Sequence, residues 1–424
     1  MRDAASTWLR PLAFGIRWAP LAWFLGLAEP FVAAAVVLSA VSLTRGPWTR
    51  LLLPALGMAS FLLAGAISLV LAADRGAPTD RVAAASFNLL VWGLGFTVWL
   101  IVRRHGRPGD RRLLLQSIRD AGMWAVAAAV VALIGWNAGL RSLSFPALAA
   151  QVVPLEVRGG LPGLFASALQ PIVYRTDFFA GVAIPRLQAF HPYPNALALT
   201  AALAIAAQLA LMRWGRPSTL RSAIVLAILT LPLAMTASRA ILLATLALTA
   251  LTVALRMVPR DGRIVTVAAA AWLLTLAATF AAALPQVGSA LASGVGDARA
   301  GSTMTRVTLY AETLRQAIER PWLGHGVKPR PEDRGIPIGS HSTLIGTFYK
   351  GGAVGLVLLV AASLLIAARS IRDLTLGDQH RQAVAAAATL VLAWALIEDL
   401  DAALVASIQA FAMLGLLFWD HAKT

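Results

Sequence analysis

The chain has 424 residues, 58% of them hydrophobic and 13% charged. Soluble domains carry about 25% charged residues, so an ordinary water-soluble fold is excluded, and the continuous, non-alternating apolar runs argue against a β-barrel. The formal charge of +16 rests on arginine, since only Lys328, Lys350 and Lys423 are lysine, and the lack of cysteine removes disulfides, thiol nucleophiles and Cys-held metals.

Apolar segments recur along the whole chain, and twelve membrane spans are predicted: 11–28, 30–44, 51–73, 82–102, 120–138, 193–212, 221–236, 239–257, 264–284, 341–368, 382–398 and 400–419. The first two are short and barely separated by "GLAEPF". Arg17 lies inside the first, which lacks a small-residue cleavage site and reads as a retained helix. The expected fold is an all-α polytopic membrane protein with two long periplasmic loops containing short helices. It divides into a five-span region (1–138), a first outer loop (139–192), a four-span region (193–284), a second outer loop (285–340) and a three-span region (341–424).

Alternate connections are basic: "TRGPWTR", "RRHGRPGDRRLLLQSIR", "RWGRPSTLR", "RMVPRDGR" and "ARSIRDLTLGDQHR". Positive loops stay on the cytoplasmic side, so both termini are expected in the cytoplasm and the two long loops outside it. The second loop contains "GSTMTRVTLYAETLRQAIERPW", an amphipathic helix with an apolar stripe of Val307, Ala311, Leu314 and Ile318, ended by Pro321. The outer loops nevertheless hold many arginines. Salt bridges and snorkelling account for some of them, but guanidinium forks also suit phosphates, and an anionic, lipid-borne substrate is the sharper reading.

In the stretch "GSHSTLIGTFYKGGAVG", Ser340 is a plausible N-cap that would put His341 in the first helical turn. The positive end of the helix dipole would there favour a neutral, proton-accepting ring. Gly352 and Gly355 follow on the same face and would let another helix approach. A histidine bonded to a carbonyl at the membrane interface is the plainer alternative. Glu398, Asp399 and Asp401 read as a solvated hairpin tip, and Arg175 with Asp177 as a local pair. Arg239 could snorkel at a helix end, Arg306 could pair with Glu312 or Asp297, and His191 reads as structural or as an acceptor-site residue. No acidic or histidine cluster suggests a metal, and no phosphate-cradling Gly-Lys motif suggests an ATP-driven pump.

"HSTLIGTFYKGGAVG" resembles the signature of bacterial O-antigen ligases: His, then Asn, Ser or Gln, nine residues, Gly-x-x-Gly. His341, Ser342, Gly352 and Gly355 take those positions. "MTASRAILL", with Arg239, resembles the Ser-Arg segment of the wider O-antigen ligase and polymerase superfamily. "RVTLYAETLRQAIERPWLGHGV", with Arg306 and His325, is similar to its outer-loop helix, and "RLQAFHPYPNALAL", with Arg186 and Asn195, to its segment leading into a span. Gln188 and Ala189 depart from that pattern where a Gly is common.

The resemblance implies transfer of a glycan from undecaprenyl diphosphate to a sugar hydroxyl of lipid A–core at the periplasmic face of the inner membrane, without a metal or other cofactor. His341 would be the general base, and Arg239 and Arg306 would stabilise the diphosphate. Arg186, Arg175, His191 and His325 would line the donor or acceptor site. An O-antigen polymerase shares the pattern. A transporter or flippase of lipid-linked sugars would need charged or broken helices at mid-membrane, whereas the polar residues here gather towards one face.

Overall fold

A computed structural model describes residues 8–44, 52–105, 108–152, 168–179, 182–212, 218–257, 300–331 and 337–419. Among them are twelve α-helices: α1 (Arg10–Phe24), α2 (Ala28–Ala40), α3 (Leu52–Asp74), α4 (Thr79–His105), α5 (Pro108–Asn137), α6 (Pro194–Leu211), α7 (Ser218–Met235), α8 (Arg239–Met257), α9 (Ala300–Ala317), α10 (Thr343–Leu376), α11 (Gln379–Ile397) and α12 (Leu404–Leu417). Eleven of the twelve expected spans coincide with a helix, and the segment 264–284 lies outside the described residues. Among the described residues six helices are long and apolar enough to cross a membrane, namely α3, α4, α5, α6, α10 and α11; α2, α7, α8 and α12 are apolar but shorter. In α1, Arg17 is paired with Asp120 of α5 at 2.8 Å, which gives this charge a partner.

Small residues set the packing. α6 and α12 are apolar and alanine-rich on every side, so no face is reserved for water, and both are buried almost throughout. A Cβ added at Gly122 of α5 would lie 2.3 Å from Ala204 of α6, and one at Gly95 of α4 would lie 2.2 Å from the ring of Phe411 in α12. Such contact brings backbones close enough to pack by dispersion, the main attraction between helices in lipid. α3 and α10 are peripheral and leave most of their apolar surface exposed.

In the first outer loop the described residues add a three-stranded antiparallel sheet that was not expected, in the order β1 (Ser142–Ser144), β2 (Ile172–Phe179), β3 (Val182–Leu187), beside a 3-10 turn at Leu148–Gln151 and helical residues 168–169. "IVYRTDFF" is rich in the aromatic and branched residues that suit a pleated surface. Pro185 is tolerated because β3 is an edge strand.

The second outer loop contains the expected helix, α9. Leu309, Thr313 and Ala317 are buried. Ala311, Leu314 and Ile318 of the expected apolar stripe are exposed, and the side chain of Val307 lies outside the described residues. α9 packs inward through the side that holds two hydroxyl groups in hydrogen bonds, Tyr310 and Thr313.

Candidate functional site

The loop entering α10 carries the centre of the site. The N-cap of α10 is Ser342, whose Oγ accepts the N–H of Ile345 at 3.3 Å. Ser340 is not the cap, and His341 stands one residue before it instead of in the first turn. Its φ of +66° is in the left-handed region, which costs a non-glycine residue on the order of 1–3 kcal/mol. Three bonds hold it there. Its N–H donates to Asp399 Oδ2 at 3.3 Å, its carbonyl accepts from the Tyr310 hydroxyl, and its Nδ1 lies 3.4 Å from Glu398 Oε2.

The acids come from the turn joining α11 to α12. Glu398, Asp399 and Asp401 are each less than 10% exposed, so the turn is no solvated tip. Thr343 clamps it to the start of α10: its N–H and Oγ1 both donate to Glu398 O, at 3.1 and 2.7 Å, and its Oγ1 accepts the N–H of Leu400 at 2.8 Å. Buried carboxylates require partners. Lys328 Nζ is 2.9 Å from Asp399 Oδ2, and Lys350 Nζ and Trp92 Nε1 are 2.5 and 3.1 Å from Asp401 Oδ2. Asn195 Nδ2 donates to Glu398 Oε1. Burial alone would raise the Asp401 carboxyl, but Lys350 and Lys328 hold it below its usual range. Burial first, then the three carboxylates, pushes the Tyr193 hydroxyl well above its ordinary value.

Lys328, Lys350, Tyr310 and the acidic turn were not among the residues expected at the site. The available signal was the lysine count: two of only three lysines fall within thirteen residues of His341.

Arg186 joins the network from the sheet. Its Nε donates to Thr236 O at 3.0 Å, Nη1 to Asp177 Oδ2 at 3.0 Å and Nη2 to Asn195 Oδ1 at 3.4 Å. A continuous polar path thus runs Asp177–Arg186–Asn195–Glu398–His341. Asp177 pairs with Arg186 and not with Arg175, which is exposed on β2 directly across from Arg186. Thr236 belongs to the "MTASR" turn, so Arg239, the first residue of α8, begins its helix beside the network. Arg306 lies one turn before Tyr310 on α9. The side chains of Arg239 and Arg306 lie outside the described residues.

The two other histidines expected at the site are apart from the His341 ring. His191 is buried with Nε2 3.0 Å from Thr200 Oγ1, and burial lowers its pKa to about 3. His325 stacks on Tyr349 with centroids 4.5 Å apart, and its Nε2 is 2.9 Å from Gln316 O.

Gly352 does not face a neighbouring helix. With φ +60° and ψ −161° it breaks α10, and the loop Pro321–Trp322 enters the gap. Its carbonyls accept the N–H groups of Ala353 and Val354, and a Cβ at Gly352 would lie 2.2 Å from Trp322 O. At Gly355 the nearest atom to an added Cβ is Thr347 Cγ2 of the same helix, at 3.3 Å, so neither glycine admits a second helix.

Among the described residues the positive-φ non-glycine positions are Phe190, Ala237 and His341. Each lies in or beside one of the loops that meet in this network, next to His191, just before Arg239, and at the central ring. Such strain gathers where a structure over-determines a functional geometry. No group of three His, Asp or Glu side chains among the described residues is placed to hold a metal ion.

Together these features define a polytopic helical membrane protein with a histidine–carboxylate–cation site at one end of an apolar bundle. Residues 223–360 match the family model described as O-antigen ligase. The matched region includes Arg239, Arg306, Lys328, His341, Lys350, Gly352 and Gly355. No curated protein matches the sequence.

Proposed function

We propose that the protein is an O-antigen ligase that moves a glycan from undecaprenyl diphosphate to a sugar hydroxyl of lipid A–core at the periplasmic face of the inner membrane. The observation that carries this reading is the His341 ring, which lies in the region that matches the ligase family and is held by Glu398 from outside it. A carboxylate at Nδ1 favours the tautomer protonated there, leaving Nε2 to accept a proton. The acceptor oxygen attacks the anomeric carbon, its proton passes to Nε2, and the sugar–diphosphate bond breaks with the electron pair leaving on the diphosphate. A positioned base contributes about 10²–10⁴-fold to such a step.

Arg239 and Arg306 are assigned to the diphosphate, whose growing charge suits fixed guanidinium forks. Arg186 directs its donors to Thr236, Asp177 and Asn195, and its role in this scheme is to hold the turn before Arg239 and the Asn195–Glu398 bridge. Arg175, exposed beside it, is the sheet residue open to an anionic substrate. The basic connections support this orientation: Arg104, Arg111, Arg369 and Arg381 lie at the opposite ends of their helices from His341, as expected for a site on the side away from the positive loops.

The test is reconstitution of the purified protein with lipid-linked glycan and lipid A–core, without ATP or added metal. Transfer to lipid A–core is expected. Growth of the lipid-linked chain itself would assign the polymerase reaction instead, and vectorial movement without transfer would assign a transporter.

A further inference from the structure

The exposed stripe of α9 is out of place on a segment surrounded by water. Leu314 is 43% exposed, Ile318 70% and Trp322, five residues past the helix end, 73%. Contiguous apolar exposure of this kind marks a surface that meets something apolar. The backbone shows what. Pro321 O and Trp322 O accept the N–H groups of Ala353 and Val354 at the break in α10, so the stripe passes without interruption onto that helix. There it meets exposed Val354 and Val357 and, further along, Leu364 and Leu365. α10 is long and apolar enough to cross a membrane, and these residues are exposed on it. Exposed Arg320 and Arg315, the latter paired with Glu312 and Glu319, accompany the stripe, as charged residues do beside the apolar edge of helices that lie in a membrane surface. An exposed tryptophan at the junction fits the headgroup level.

We propose that α9 is an interfacial helix, with the Leu314–Ile318–Trp322 edge seated in the lipid leaflet at the site end of the bundle. Its inward face is bonded to the loop that carries the ring: the Tyr310 hydroxyl donates to His341 O, and Thr313 Oγ1 accepts the N–H of Gly339 at 2.9 Å. The leaflet therefore sets the depth of His341 through α9, at the level where the headgroup of a lipid-borne substrate lies. The seating of α9 is independent of the reaction proposed above; only the meaning of the depth rests on it.

The absence of native cysteine makes the test direct. Single variants Leu314→Cys, Ile318→Cys and Trp322→Cys are spin-labelled in the full chain, reconstituted in vesicles of phosphatidylethanolamine and phosphatidylglycerol. Arg175→Cys, exposed on β2, is the water reference, and Leu364→Cys the lipid reference. Collision rates are read with oxygen, which concentrates in lipid, and with a water-soluble nickel chelate. The three α9-side labels are expected to group with position 364, with high oxygen and low nickel accessibility. Grouping with position 175 would overturn the proposal. Protection from both reagents, with spin–spin broadening between labelled copies, would overturn it too and would assign the stripe to a second copy of the chain. All outcomes are read without turnover, so loss of the ligase reading would leave this result standing.

Discussion

Lys328 Nζ lies 2.9 Å from Asp399 Oδ2, the same oxygen that accepts the backbone N–H of His341 at 3.3 Å. One carboxylate oxygen thus links a cation from the α9–α10 loop to the strained residue beside α10. Both side chains of the ion pair are only 12% exposed. Removing one partner of a buried pair costs about 3–5 kcal/mol, because the other charge is left without compensation. Lys328→Met should therefore lower the unfolding temperature in detergent substantially, and Lys328→Met with Asp399→Leu should recover most of that loss. The double variant should still be inactive, since His341 has lost its backbone tether. Wild-type turnover in the double variant would remove Asp399 from the site.

His341→Ala should reduce transfer by about 10²-fold or more while retaining binding of the lipid-linked donor. Glu398→Gln keeps the shape and the bond to Asn195 but not the carboxylate that selects the ring tautomer. It should lower the turnover number more than it changes the Michaelis constant, and by less than His341→Ala. Equal turnover in Glu398→Gln and the wild type would mean that the ring orients without it.

Arg239→Ala and Arg306→Ala should each weaken use of the donor in a folded protein. Lysine at either position should rescue only in part, because it restores charge without the planar fork. Titration of the donor in the reconstituted reaction is the measurement, and unchanged donor dependence in Arg306→Ala would free that residue from the diphosphate.

Acid should act on stability through His191. Its folded pKa of about 3 lies below the unfolded value of about 6.5. As pH falls below 6.5 the unfolded chain takes up a proton that the folded chain refuses, so stability declines from there towards pH 3. His191→Gln cannot titrate and should show a shallower decline between about pH 6.5 and 5 in melting experiments. Asp401 works in a separate window. Its depressed carboxyl contributes stability that is complete above the unfolded carboxylate value of about 3.9 and is lost only as pH falls below it. Identical slopes for His191→Gln and the wild type above pH 5 would show that this ring is not what acid attacks.

Gly352 and Gly355 should respond differently to the same change. Gly352→Ala puts a side chain into a backbone region costing on the order of 1–3 kcal/mol and drives Cβ into Trp322 O. It should loosen the α9–α10 connection, seen as new protease cleavage near Trp322, and reduce transfer. Gly355→Ala meets only Thr347 Cγ2 at 3.3 Å and should be close to neutral.

The spans were legible because a run of apolar residues has few other uses than lipid or a lipid-facing core. The same logic found α9 and its apolar stripe but left its facing open, since a periodic pattern does not say whether the apolar medium is protein or membrane. Local pairing misled at Arg175, which lost Asp177 to Arg186 on the neighbouring strand. The cap at Ser342 prevailed over Ser340 because Thr343 is bonded to the Glu398–Leu400 turn, 55 to 57 residues away. Distance along the chain also hid the acidic cluster: Asp399 and Asp401 are matched to lysines 71 and 51 residues earlier. Where the decisive partner is that remote, only the folded chain brings the two together.

The clamp between Thr343 and the Glu398–Asp401 turn bears on how the protein is born. Helices enter the membrane in the order of synthesis, and the ring at position 341 is made well before the acids that hold it. Until the α11–α12 hairpin is inserted, Lys328 and Lys350 lack Asp399 and Asp401, and His341 has neither its tether nor its carboxylate. A nascent chain halted before residue 398 would contain the histidine and both lysines yet have no assembled site. Synthesis and insertion of the Glu398–Asp401 turn is thus the step that assembles this network.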